Sequence, residues 1–219
     1  MIYRIDVRTT GAARGGQAAV DPVGEALRHQ IAEFGSDVGP IETARIFLVD
    51  TEADTPDIAR AARGLLADPV AEKAELVAPG EADDEGMSRI EIHLKPGVMD
   101  PVAASTEMAL RDMGLPVREV RTGRAYRIRG KVERAELKRI AERVLANGVI
   151  ESVHFEPFVP EKFQRGHEDA FRLRHVRIRE LTDEQLTKLS REGHLFLSLA
   201  EMKAVQDYYR RQEREPTDV

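Results

Sequence analysis

Apolar and polar residues alternate along two short stretches of this chain, in the pattern of a strand with one face turned inward. Tyr3, Ile5 and Val7 point one way and Arg4, Asp6 and Arg8 the other; Ile90, Ile92 and Leu94 are set against Glu91, His93 and Lys95 in the same manner. Helical spacing follows the second stretch. From about Asp100 to Met113 the positions Val102, Thr106, Ala109, Leu110 and Met113 recur three and four residues apart, which predicts a helix stopped by Gly114. Val117 to Gly130 then predicts a hairpin folding back near Thr122-Gly123. A second helix carries Leu137, Ile140, Ala141, Val144 and Leu145 inward until Asn147-Gly148, and Val153 and Phe155 lie on a closing strand.

Laid against itself at an offset of 79 positions, the chain pairs Asp21-Pro22-Val23 with Asp100-Pro101-Val102, Gly35 with Gly114, Thr43 with Thr122, Arg45 with Arg124 and Leu66 with Leu145. One offset held this long predicts two copies of one unit, residues 1–80 and 88–158. Each copy reads as strand, helix, hairpin, helix, strand. That βαββαβ order is the ferredoxin-like arrangement, with two helices covering one face of a four-stranded antiparallel sheet. The fold class is therefore α+β, two tandem ferredoxin-like units. Open apolar faces and unpaired edges are costly in water, so the copies are expected to pack face to face or edge to edge.

Residues 159–180 read as a linker with a short strand, in which Phe171, Leu173, Val176 and Ile178 stand among arginines. Residues 181–219 read as a short helical segment, opened by capping boxes at Thr182 with Gln185 and at Ser198 with Glu201. Short helices are weak alone, and Leu186, Leu189, Met202, Val205 and Tyr208 would stand exposed there unless another body covers them.

Composition narrows the function. At 219 residues and 42% hydrophobic content the chain can fill packed cores. No stretch approaches the roughly 20 apolar residues that cross a bilayer, and the start Met1 to Asp6 lacks a signal-peptide pattern. The cytoplasm is the expected compartment, with no membrane partner. The lack of cysteine excludes disulfides, thiolate metal sites and the cysteine nucleophile that would attack the side-chain amide of glutamine. A net charge of -6 opposes binding to phosphate polymers, so nucleic acid is not an expected partner. The six histidines show no HExxH or paired spacing, and no metal site is expected.

Two stretches carry candidate chemistry. In His93 to Pro101 a strand leaves through Pro96-Gly97 and Asp100 caps the next helix; turn and cap chemistry accounts for this, while Lys95 and its loop offer a partner surface. Val120 to Arg124 places Arg121 and Arg124 beside Gly123, where a carboxylate or phosphate could be held, or where a hairpin tip is simply solvated. The loop Thr9 to Gln17 lacks a Gly-Lys-Ser/Thr opening a helix and reads as surface loop. The arginines from Arg172 to Arg179 read as a solvated strand face.

With KPGVMDP, ALRDMG, VREVRTGR and NGVIESVHFEP, the stretch Arg89 to Pro157 resembles the small PurS subunit of phosphoribosylformylglycinamidine synthase. Met1 to about Pro79 looks like a degenerate second copy, through the 79-residue register and the retained Asp21-Pro22-Val23; Leu181 to Val219 looks like the lead-in to the large PurL synthetase. The resemblance implies two PurS-like units and a part in a ligase that converts formylglycinamide ribonucleotide to the amidine with ATP, magnesium and ammonia from glutamine. It further implies an adaptor that docks a PurQ-type glutaminase to a PurL-type synthetase core and helps ammonia transfer. ATP and Mg2+ would then belong to the core, with no cofactor and no catalytic residue in this chain. Matched to the family pattern position by position, Lys95, Gly97, Asp100, Arg121, Gly123 and Arg124 are expected to shape the interface. The alternative on fold alone is an ACT-like tandem small-molecule sensor, which also pairs ferredoxin-like units.

Overall fold

In the computed structural model, residues 1–10, 21–78, 86–164 and 172–218 are described. The loop after Thr10 and the residue Phe171 lie outside them. The chain divides into two units, Met1–His167 and Glu168–Val219. Among the described residues no helix is long and apolar enough to cross a membrane.

The first unit runs β1 (Ile2–Thr9), α1 (Pro22–Glu33), β2 (Ile41–Thr51), α2 (Thr55–Ala61), β3 (Glu72–Val77), β4 (Met87–Leu94), α3 (Pro101–Asp112), β5 (Val117–Arg129), α4 (Arg134–Ile140) and β6 (Glu151–His154). A π-helical turn prolongs α2 over Ala62–Leu66 and another prolongs α4 over Ala141–Leu145. All six strands form one antiparallel sheet in the order β3-β1-β2-β5-β4-β6. The α+β class is as the sequence predicts; the difference lies inside each half. No hairpin breaks β5 at Thr122-Gly123, and β2 is equally continuous, so each half supplies three strands in place of four. Gly123 sits in mid-strand beneath the His93 imidazole, where any side chain would collide with the ring. The glycine there answers a close approach, not a turn.

The two halves meet edge to edge along β2 and β5. Arg45 lies directly opposite Arg124, its own counterpart at offset 79, and Thr43 opposite Tyr126 mirrors Phe47 opposite Thr122. The seam thus has local two-fold symmetry, as an isologous dimer interface has. Side-chain bonds repeat on both sides of it. Asp21 caps α1 and accepts from the Thr43 amide and hydroxyl, both at 2.6 Å; Asp100 caps α3 and accepts from the same groups of Thr122 at 3.0 and 2.8 Å. Arg45 reaches the Leu66 carbonyl and Glu72, and Arg124 reaches the Leu145 carbonyl and Glu151.

The seam also interlocks the cores. Because β2 and β5 extend past the centre, Ala103 and Leu110 of α3 pack with Ile5, Phe47, Val49 and Ile58 of the first half. Ile31 of α1 packs with Ile90, Ile92, Ile128 and Ile140 of the second. The buried line of α3 is Ala103, Thr106 and Leu110, not the predicted one through Val102 and Met113, which are 57% and 49% exposed. The helix is turned so that its small residue meets the neighbouring half.

The second unit is small and closes on itself. Helices α5 (Asp183–Glu192) and α6 (Leu199–Arg211) open with the two expected capping boxes. Leu186 and Met202, expected to stand exposed, are fully buried against Ile178, while Tyr208 stays exposed. The expected strand before them is only an isolated bridge between His175 and Thr217, because the segment finds a single short partner in the returning chain. Gln206 donates to the Ile178 and Leu181 carbonyls at 2.8 and 2.9 Å, and Glu215 accepts from the Ile178 amide at 2.9 Å.

The interlock has a measurable consequence. Leu110→Ala removes a side chain buried in the opposite half's core and is expected to cost about 2–5 kcal/mol. Hydrogen exchange will then show protection lost in β1 and α2 as well as around α3. Loss confined to residues 87–158 would mean that the halves are independent.

Candidate functional site

The back of the sheet, away from the helices, is predicted by alternation to face water. It is instead closed at its centre by a segment that follows β6. Phe158 and Phe163 pack there on Ala44, Ile46, Leu48 and Ala125, and charged side chains of β1 and β4 are buried beside them. The Glu91 carboxylate, with no exposed surface, accepts from Arg4 at 2.7 and 3.0 Å, from Arg89 at 2.5 Å and from the Phe158 amide at 3.0 Å. The Arg4 guanidinium also grips Asp6, at 2.8 and 3.1 Å. Since β2 and β5 separate β1 from β4, the Arg4–Glu91 bridge spans the seam. It ties one half to the other and both to the covering segment.

Burial by itself would raise the Glu91 carboxyl. Hydrogen bonds from His93 and Arg4, the Arg4 charge and the Phe158 amide more than reverse this, and hold it at about 2. Burial likewise disfavours the Arg4 charge, and the two carboxylates outweigh it and push its pKa up. His154, half-buried on the other side of His93, is lowered by burial and by its neighbouring imidazole. It stacks on Phe158 with ring centres 4.2 Å apart, and His93 lies 5.0 Å from the same ring.

Beyond the His93–Gly123 pair β4 parts from β5, staying beside β6 through Leu94, and β5 continues without it. The exposed edge is capped from α3: Asp100 accepts from the Thr122 amide, Glu107 from the Val120 amide at 3.2 Å, and Arg111 donates to the Val117 carbonyl at 2.9 Å. The result is a notch of about 800 Å³ in the sheet, between the end of β4 and the free edge of β5. Pro96 and Gly97 form one lip, Ala104 and Met108 of α3 the roof, and Phe158 and Phe163 the floor, with His93 and His154 at the inner end. Arg121 fixes the floor, donating to the Gln164 carbonyl at 2.5 Å with its guanidinium 4.7 Å from the Phe163 ring.

Four of the six residues predicted for an interface line this notch: Lys95, Gly97, Asp100 and Arg121. Gly97 makes the turn with φ 88°, and Lys95 donates to the Gly148 and Val149 carbonyls. Gly123 lies under His93, and Arg124 is on the helix-covered face, opposite to Arg121, because side chains three apart on a strand point to opposite sides. Arg124 is engaged by Glu151, the Tyr126 hydroxyl and the Leu145 carbonyl, so it holds β5 to β6. Truncating it costs the fold more than a solvated arginine would. Among the described residues no group of three or more His, Asp or Glu side chains could hold a metal ion.

Sequence reasoning missed Arg4, Asp6, Arg89, Glu91 and His154. One signal was available: Arg4-Ile5-Asp6 and Arg89-Ile90-Glu91 repeat one arginine-isoleucine-acid pattern at the same place in β1 and β4.

Fold and notch together define a class of small α+β module, in which two half-sheets share one seam and one shaped recess opens beside it. Residues 87–158, β4 through Phe158, match the family PurS, phosphoribosylformylglycinamidine (FGAM) synthase, and this stretch is similar to a PurS unit. The chain is also 47% identical over 45 residues to phosphoribosylformylglycinamidine synthase subunit PurL of Thermoplasma volcanium. Those residues are 20% of this chain and 6% of that protein, so the chain spans a small part of the relative's length.

The Glu91 cluster makes acid stability a test. Its folded pKa of about 2 lies below the ordinary 4.5, so its contribution is complete above pH 4.5 and is lost as pH falls through about 2. The shift corresponds to roughly 3 kcal/mol. Glu91→Gln should therefore lower stability at pH 7 and flatten its fall between pH 4.5 and about 2, as read by urea unfolding across pH. An unchanged acid limb would remove Glu91 from this role.

Proposed function

We propose that the chain is a PurS-like adaptor module of phosphoribosylformylglycinamidine synthase, acting in purine biosynthesis. It joins a PurL-type synthetase core to a PurQ-type glutaminase and helps the released ammonia pass between them. The PurS match over residues 87–158 carries this reading. The notch supports it, since Lys95, Gly97, Asp100 and Arg121 converge there on an apolar lining. Residues 1–80 act as the second PurS-like unit, and the β2–β5 seam stands in for a dimer interface. Residues 181–219 lead toward the synthetase. Catalysis, ATP and Mg2+ belong to the core, and this chain contributes position and shielding. A shaped rim around an apolar recess is what a partner's side chain can fill.

The test must avoid residues that hold the fold, which Arg124 and Asp100 do. Met108 lines the notch and is 63% exposed, so Met108→Asp should change stability by no more than about 0.5 kcal/mol. In the enzyme reassembled with synthetase and glutaminase, this variant should lose more than tenfold in glutamine-dependent activity and keep its activity with added ammonia. A parallel fall in both activities would place the notch in support of the core, and no fall would remove it from docking. The size of the notch favours one second reading, an ACT-like small-molecule sensor. Calorimetric binding of a free amino acid, abolished by Met108→Asp, would favour that reading.

A further inference from the structure

The connection between α5 and α6 is built against the preferences of its own residues. Among the described residues, three that are not glycine have φ in the left-handed region, and two of them, His194 and Phe196, both at 53°, lie in this loop. A bulky aromatic residue adopts that conformation only when its surroundings force it. Ser190 supplies the force. Its carbonyl accepts from the Leu195 and Phe196 amides at 2.9 and 3.3 Å. Its hydroxyl bonds both the Leu197 amide and the Leu197 carbonyl at 2.8 Å, and the residue is buried.

What this clamp holds in place is apolar and uncovered. Phe196 is 78% exposed, Leu195 52%, and Leu197 and Leu199 37% each. None of the four is needed by the unit's own core, which Ile178, Leu186 and Met202 close without them. A plain helix connection would carry glycine or polar residues there. A rigid loop that spends backbone strain to hold an aromatic ring in water has the character of a binding anchor.

We infer that the loop Leu195–Leu199 is an anchor that inserts Phe196 into an apolar socket on a PurL-type synthetase core. This rests on the adaptor reading. The loop lies in the stretch that resembles the PurL lead-in, and the chain is similar to a PurL subunit over 45 residues. Area argues against a second copy of this chain as the occupant. One aromatic side chain covers about 150–250 Å², and three half-covered leucines added to it fall short of the about 800 Å² per partner that a stable dimer buries. An anchor of this size suffices where other contacts already hold the partner close.

The experiment uses the full chain and a separately produced PurL-type synthetase core, with affinity measured by titration calorimetry. Phe196→Ala and Phe196→Gly should each weaken binding at least tenfold. The chain alone should keep its Tm in the first variant and keep or raise it in the second, because glycine adopts a φ of 53° freely. Binding within twofold of the original would overturn the anchor and leave the adaptor reading standing. Failure of the unaltered chain to bind the core would overturn both. A lower Tm in Phe196→Gly would assign the ring to the fold of its own unit. Sedimentation showing a dimer that Phe196→Ala dissociates would assign it to a second copy.

Discussion

The pairing of β2 with β5 is the constraint on which the first unit depends. Both strands run past the local two-fold centre, so each supports the sheet of its own half and the core of the other. A helix such as α3 then packs partly on residues that are distant in sequence. The arrangement joins two small cores, each short of apolar material, into a body large enough to be stable. The Arg4–Glu91 bridge crosses the same seam on the back of the sheet, so both faces carry a tie between the halves.

That bridge explains why a segment without regular structure can cover the sheet. A buried carboxylate that lost its donors would be expensive, and Glu91 collects them from β1, β4 and the Phe158 amide together. The covering segment is therefore fixed at one end by a backbone hydrogen bond to a buried charge. At the other end Arg121 fixes it through Phe163 and the Gln164 carbonyl. The notch lies between these two points, and its floor is held by these ties at both ends together with the packing of Phe158 and Phe163 on the sheet.

Much of this was legible in the sequence. The strand alternation around Ile5 and Ile90, the cap at Asp100 and the stop at Gly114 appear in the structure where the pattern puts them. Thr122-Gly123 misled because a glycine in a polar stretch has the same appearance whether it turns the chain or clears space for a ring. The buried charges were hidden for a different reason. Alternation reports which residues share a face, and it assigns the polar face to water unless something covers it; the cover here comes from residues 158–163, which carry no periodic signal. Of the candidate interface residues, the loop at Lys95 to Asp100 was readable from turn and cap chemistry. The separation of Arg121 from Arg124 followed only once β5 proved to be continuous.

The seam places Arg45 opposite Arg124, as two identical subunits would place one residue opposite itself. In such a homodimer every substitution appears twice, and a change that suits one end of the assembly is imposed on the other. Here the two ends are separate stretches of one polypeptide. His93 occupies in β4 the place that Arg8 occupies in β1, and Glu91 that of Asp6, so one end has an imidazole beside its buried acid and the other a guanidinium. Covalent fusion of a symmetric scaffold thus permits one-sided specialisation: each end can acquire a surface that its twin does not share, at no cost to the seam that holds them together.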